Sequence, residues 1–387
     1  MSGGQPHLVD EVAAGLGVRV LRALGRGGSG AHSVLTETGA GELAVLKIVT
    51  DRPGAVDGHD LASFLLKSRQ IQQLRQRTPA VGQHYPPVLA TLDGPGWAST
   101  LTRYVPGSDL VAVAGRDGPG RAHELLRGVW HRLSSEGYAA TSRPASAEHW
   151  LRDFCDRLER RRNLLVDNVA PALLNETNLT VNGREVPGFD QAAATARDLA
   201  WVFDRSRVAD PVHGDLNLRN IVIGDPPGPP FALVDPRGTL GSWDPVYDLA
   251  KVLFSLTVFD DLMEGGARIG RRSDTDFTVA PRGTRHGAWL RLLIADLDPM
   301  LEEAGITGEL ALHQLLLAHA THVLAESACR ISDLGQRPDA RRESAAALLL
   351  FGLILMADLA DAFGAGRPLS ATRHLSLLEP RPAGSRA

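Results

Sequence analysis

Lysine is nearly missing from this sequence. Lys47, Lys67 and Lys251 are the only three in 387 residues, so arginine carries almost all the positive charge. Cysteine is scarcer still, at Cys155 and Cys329. Two thiols form one bridge at most, and these lie far apart in helix-like sequence, where reduced, buried thiols are expected. No Lys/Arg block stands out and the formal charge is only −4, which argues against polyanion or nucleic-acid binding as the main task. The longest uncharged apolar run, Ala345 to Ala357, is too short to cross a bilayer and reads as a buried helix. The opening MSGGQPHLVDEVAAG shows no charged segment followed by an apolar one, so no secretory leader is expected. A cytoplasmic protein without membrane partners fits these absences.

What remains is ordinary globular material. About 43% of residues are apolar, and the length suits two or three packed units. From Val18 to Val49 the pattern reads as a three-strand meander: Val18–Leu21, Ser33–Thr36 and Leu43–Val49, with a glycine-rich first turn at Gly25-Arg26-Gly27-Gly28-Ser29-Gly30. Leu61 to Arg77 has helical spacing, with Leu61, Phe64, Leu65, Ile71 and Leu74 on one side. Strands follow at 86–91 and 98–102, then Gly107 as a hinge. Beyond about residue 120 helices dominate: 121–136, 147–165, 190–203, 248–259, 287–304, 309–334 and 339–363. Asn178 to Pro187 is a loop or short hairpin. Strand-like runs at Ile221–Ile223 and Phe231–Val234 flank a Gly/Pro-rich turn.

The informative stretch is Val212-His213-Gly214-Asp215-Leu216-Asn217-Leu218-Arg219-Asn220-Ile221, followed by Leu233-Val234-Asp235-Pro236-Arg237-Gly238. Phosphoryl transfer to a hydroxyl needs a base that takes a proton and a metal that neutralises triphosphate charge. Asp215 supplies a base. Asn220, five residues on, supplies a neutral oxygen and Asp235, at the end of a strand, a carboxylate; Mg²⁺ favours such donors. A hairpin between Asn220 and Asp235 brings the three groups to one mouth.

This segment resembles the catalytic loop and metal motif of the aminoglycoside phosphotransferase and choline kinase family, a branch of the protein-kinase-like fold. The resemblance runs from about Val18 to Leu256 and is most specific at Val212 to Ala250. It implies an α+β, bilobal fold: a β-rich nucleotide-binding lobe over residues 1–106, a helical lobe with the catalytic loop and acceptor site over 107–378, and a loose tail at 379–387. It implies a kinase that moves the γ-phosphoryl group of ATP or GTP to a small-molecule hydroxyl. Asp215 is then the base, and Asn220 and Asp235 hold Mg²⁺. Asp248, in Asp244-Pro245-Val246-Tyr247-Asp248, braces the catalytic loop with His213. Gly27, Gly28, Ser29 and Gly30 cover the phosphates, Lys47 in Ala44-Val45-Leu46-Lys47-Ile48 reaches them, and Arg103, Tyr104 and Val105 form the nucleobase hinge.

Two departures stand out. Kinase-fold enzymes hold the strand lysine with a helix Glu, whereas Leu61 to Arg77 has none and Gln70 takes the place by local pattern. Asp235-Pro236-Arg237-Gly238 lacks the common aromatic or apolar continuation, and Arg237 is available to a phosphate, an anionic substrate or a nearby carboxylate. The C-terminal helices mix Glu302, Glu303, Glu326 and Asp333 with Arg291, Arg330, Arg341 and Arg342, which does not announce a polycation site. A neutral or anionic hydroxylated metabolite, such as a sugar, cyclitol or nucleoside-like compound, stands beside an aminoglycoside as the expected acceptor. His313, His319 and His322 share one helical stretch and read as packed histidines rather than a metal site. A catalytically silent nucleotide-binding scaffold and a protein kinase stand as alternatives, the latter disfavoured because no Ala-Pro-Glu segment follows Asp235.

Overall fold

A computed structural model describes residues 5–26, 30–51, 56, 59–226, 228–283, 286–333 and 336–378. The expected phosphate-covering residues Gly27, Gly28 and Ser29, and the tail at 379–387, lie outside these.

The first part is a five-stranded antiparallel sheet. Its strands are β1 (Val18–Arg26), β2 (His32–Thr38), β3 (Leu43–Thr50), β4 (Val88–Gly94) and β5 (Trp97–Arg103), in the order β1-β2-β3-β5-β4. Side chains alternate across a strand, and β3 uses both faces. Ala44, Leu46 and Ile48 are buried with Val34, Leu101, Val12 and Ala13, the last two from α1 (Gln5–Gly15). Sequence reasoning did not foresee α1. Lys47 therefore faces the other way, beside Val49, which packs with Phe64 and Ala98. Phe64 belongs to α2 (Leu61–Arg77), begun by the Asp60 carboxylate accepting from Ser63 N–H, a normal N-cap. The alternation thus delivers the strand lysine to the α2 side of the sheet.

The second part is mainly helical. The helix Ala311–Ser332 is buried along most of its length and packs beside Pro338–Gly364. A helix buried all round loses its polar stripe, so its facing cannot be read from periodicity. Pro338–Gly364 is long and apolar enough to cross a membrane by length and composition, yet 78% of its most apolar window is buried within the protein. Two hairpins lie against it. One is Leu179–Val181 with Arg184–Val186, turned by Asn182 (φ 53°) and Gly183 (φ 76°), the left-handed pair of a tight hairpin. The other, Ala267–Arg271 with Asp276–Pro281, was not anticipated; Asp276–Pro281 runs parallel to Leu179–Val181.

The two parts meet where β6 (Gly107–Asp109) pairs with Ile221–Gly224, which pairs in turn with Phe231–Leu233. Gly107 has φ 153°, and a Cβ there would sit 2.1 Å from the Ile223 carbonyl oxygen. Only glycine permits that approach.

Candidate active site

The His213–Asn220 loop is fixed by one buried carboxylate. Asp248, in the helix Val246–Phe254, accepts from His213 N–H (2.8 Å), Gly214 N–H (2.8 Å) and Tyr138 Oη–H (2.7 Å). Burial raises its pKa even against these donors. His213 closes the same turn from inside. Its Nδ1 accepts from Asp215 N–H at 3.1 Å and its Nε2 lies 3.1 Å from the Val234 carbonyl oxygen, which selects the tautomer with the proton on Nε2. Burial lowers its pKa, so the ring stays neutral.

Asn217 Oδ1 then accepts from Arg219 N–H and Asn220 N–H, starting the short turn Leu218–Asn220. Asn220 Nδ2 donates to the Asp215 carbonyl (2.8 Å) and to Asp215 Oδ2 (3.2 Å). With its amide nitrogen so committed, Asn220 presents its oxygen away from Asp215. Asp215 Oδ1 lies 3.0 Å from Lys251 Nζ. Lys251 is buried, which alone would lower an ammonium, but Asp215 and Glu326 outweigh that and raise its pKa.

Asp235 terminates the return strand at φ 56°, a left-handed conformation that Asp tolerates better than most residues. The Val234 N–H donates to the Asn220 carbonyl oxygen (2.9 Å), which keeps the segment before Asp235 alongside Asn220. Two lysines hold its carboxylate: Lys67 Nζ on Oδ1 at 2.9 Å and Lys47 Nζ on Oδ2 at 3.5 Å. Desolvation favours the neutral acid, but these two charges win and hold Asp235 well below the usual carboxylate range. A carboxylate held in its ionised form and a neutral amide oxygen are both hard-oxygen donors, and such donors suit Mg²⁺.

Gln70 is directed elsewhere than expected. Its Nε2 donates to the Val212 carbonyl (2.7 Å), and its Oε1 accepts from Gly238 N–H (2.6 Å) and Thr239 N–H (3.0 Å). It ties α2 to the segment just before the catalytic loop and to the segment after Asp235. Lys47 reaches Asp235 instead of Gln70, and α2 sends its own lysine, one turn earlier, to the same carboxylate. Gly238 makes this fit: at φ 94°, a Cβ would lie 3.0 Å from Leu66 Cβ and the Ser63 carbonyl oxygen. The Asp-Pro-Arg-Gly departure is thus matched to a close-packed α2.

At the hinge, Arg103 ends β5 with its guanidinium 3.6 Å from Glu42, and Tyr104 N–H donates to the Leu43 carbonyl (3.0 Å). Val105 continues to β6. Gly30 has φ 72° and opens onto β2. Arg237 N–H donates to the His213 carbonyl (3.0 Å), while its guanidinium lies over Trp243 and Tyr247 with Nη1 3.1 Å from Tyr247 Oη.

Sequence reasoning missed Lys67, Lys251, Tyr138 and Glu326. Glu326, in the core helix Ala311–Ser332, is shared by Arg157 (3.2 Å) and by Arg161, Lys251 and Arg330 (each 3.6 Å). The scarcity of lysine was the available signal, since all three lysines fall on Asp215 or Asp235. The histidines are packed: His319 Nε2 lies 2.9 Å from Thr257 Oγ1, and His322 stands edge-on to Phe254 and Tyr247. Among the described residues no group of three His, Cys, Asp or Glu is placed to hold a metal. Cys155 and Cys329 are free and buried, and burial pushes the Cys155 thiol up to about 12.

The β-sheet part joined to a helical part is a protein-kinase-like fold. The chain belongs to the phosphotransferase enzyme family, whose model matches residues 21–283, and it is therefore a phosphotransferase. Among solved structures it resembles a thermostable mutant of an aminoglycoside phosphotransferase, APH(4)-Ia, in ternary complex with ADP and hygromycin B. That likeness has 12% identity, covers 88% of this chain and 97% of the other, and has a TM-score of 0.50. The amicoumacin kinase hAmiN, in complex with AMP-PNP and Ca²⁺, is similar at 12% identity over 95% of each chain, also with a TM-score of 0.50. Such distant likenesses speak for the fold alone. No curated protein sequence matches.

Proposed function

We propose that this phosphotransferase moves the γ-phosphoryl group of a nucleoside triphosphate to a hydroxyl of a small molecule, with Asp215 as the base. The supporting observation is the contact of Asn220 with Asp215 and the backbone hydrogen bond from Val234, next to Asp235, to Asn220, with every lysine of the chain on one of the two carboxylates.

Asp215 is oriented on both oxygens, by Lys251 and by Asn220 Nδ2, and a quarter of its side chain remains open to the cleft (27% exposed). The acceptor O–H gives its proton to this carboxylate as its oxygen bonds to the γ-phosphorus. The bond from that phosphorus to the β-γ bridging oxygen breaks, and the nucleoside diphosphate leaves. Mg²⁺ held by Asn220 Oδ1 and Asp235 would neutralise the triphosphate charge. Lys47 and Lys67 frame the phosphate side of Asp235, and Lys251 places a fixed positive charge beside the proton transfer. On this reading Arg103, Tyr104 and Val105 would meet the nucleobase, and Gly30, two residues before β2, would lie near the phosphates. Asp248, His213 and Gln70 hold backbone groups and act by position.

Nucleotide consumption with Mg²⁺ and a panel of hydroxylated small molecules tests the reading. Turnover that disappears in Asp215→Ala supports it; nucleotide binding with no turnover on any acceptor would favour a silent scaffold. Asp235→Ala is expected to abolish thermal stabilisation by Mg²⁺ and nucleotide, and unchanged stabilisation would overturn the metal assignment.

A further inference from the structure

A cavity of about 800 Å³ opens beside the catalytic segment, within the usual size of a small-molecule site. Its wall carries five arginines, Arg143, Arg152, Arg157, Arg160 and Arg237, against two carboxylates, Glu148 and Asp153. Asp153 is already engaged, accepting both Nε–H and Nη2–H of the adjacent Arg152 (2.7 and 2.8 Å). The Arg152–Asp153 pair cancels and Arg157 is balanced by Glu326 behind the wall, so the excess positive charge rests on Arg143, Arg160 and Arg237 against Glu148.

Two of these arginines connect the cavity to the reaction centre. Arg237 lies two residues beyond Asp235, donates its N–H to the His213 carbonyl and is steadied by the Trp243 and Tyr247 rings. Arg157 is almost wholly buried, donates to Tyr247 Oη and lies 3.2 Å from Glu326, whose other neighbour Lys251 touches Asp215. Arg157 is already held by Tyr247 and Glu326, whereas the Arg237 guanidinium is pre-oriented on the two rings, so little conformational entropy is lost when an anion meets it.

On the reading that this is a hydroxyl kinase, we propose that the cavity is the acceptor site and that the acceptor carries an anionic group, a phosphate or a carboxylate, besides the hydroxyl it presents to Asp215. Arginine forks match both oxyanions in geometry. A polycationic acceptor meets repulsion from the same wall. The Arg-rich surface takes the anion while the hydroxyl end lies toward the catalytic loop.

The test titrates the full chain, with saturating Mg²⁺ and ADP to fill the nucleotide site, against inorganic phosphate, glucose 6-phosphate, glucuronate, glucose and kanamycin. Calorimetry is expected to show binding of inorganic phosphate and at least one anionic sugar, with neither glucose nor kanamycin comparable; the two anionic sugars separate phosphate from carboxylate recognition. Arg143 and Arg160 are exposed, so Arg143→Ala and Arg160→Ala leave the core intact. Each should weaken the anionic probes about tenfold and leave ADP affinity unchanged. Absence of binding by all the anionic probes, equal binding by glucose or kanamycin, or an Arg143→Ala/Arg160→Ala double variant that binds like the parent overturns the proposal. The two readings fail separately. Asp215-dependent turnover with no anion preference removes only the anionic acceptor, whereas anion binding without Mg²⁺-dependent nucleotide binding removes only the kinase.

Discussion

Asp215 and Asp235, the two carboxylates of the proposed site, are held in opposite ways. Around Asp215 the chain is clamped by its own backbone: Asp248 takes two N–H groups of the loop, His213 takes a third, and Asn217 and Asn220 close the turn within a few residues. Asp235 depends on charge reaching across from the sheet part, where Lys47 and Lys67 are remote in sequence. The first arrangement keeps its geometry without any ligand. The second is an electrostatic contact between two parts of the molecule, and it is open to exchange with a metal or a phosphate.

The comparison can be broken from either end. The largest effect is expected for Asp215→Asn, which removes the base but keeps the shape: a rate loss of about 10² to 10⁴ with nucleotide affinity unchanged, measured by single-turnover kinetics and calorimetry. Next is Asp248→Ala. It orphans two buried N–H groups and the Tyr138 hydroxyl, a loss of about 3 kcal/mol or more of folding stability, seen in urea unfolding. Gln70→Glu follows, at about 2 kcal/mol, because a carboxylate has no N–H for the Val212 carbonyl. If that substitution instead tightened nucleotide binding through Lys47, the observed Gln70 contacts would be the wrong guide. Lys47→Met should weaken nucleotide binding about tenfold, and Lys67→Met less, since the proposal gives the phosphate contact to Lys47 and leaves Lys67 on Asp235. The reverse ranking would assign the phosphate contact to α2. The smallest effect concerns pH. Burial lowers the pKa of His319 to about 3 and that of His322 as well. The unfolded chain then binds more protons, so stability falls as pH drops through about 6.5, by about 0.7 kcal/mol per histidine between pH 7 and 6. Thermal unfolding across that window checks the sign.

The same contrast explains what was legible beforehand. The His-Gly-Asp loop, Asn220 and Asp248 are tied by contacts within one short stretch, and Asp235 follows at the end of the return strand, so their order and spacing could be read directly. The strands around Lys47 and the helix at 61–77 follow from period and turn chemistry. Lys67, Lys251 and Glu326 escaped because each sits on a helix whose facing is set by packing, and their partners are distant in the chain. Gln70 shows the limit of matching by position: a helix residue at the right place was assigned a lysine, while its amide serves backbone groups of Val212, Gly238 and Thr239. The hairpin at 267–281 was missed because its first strand, Ala267–Arg271, carries two arginines and a glycine among five residues.

The placement of the lysines has a practical chemical consequence. Every ε-amine of this protein lies in salt-bridge reach of Asp215 or Asp235. An amine-selective acylating reagent therefore has nowhere on the side chains to react except at this cleft, and the extent of labelling becomes a direct gauge of whether the cleft is filled.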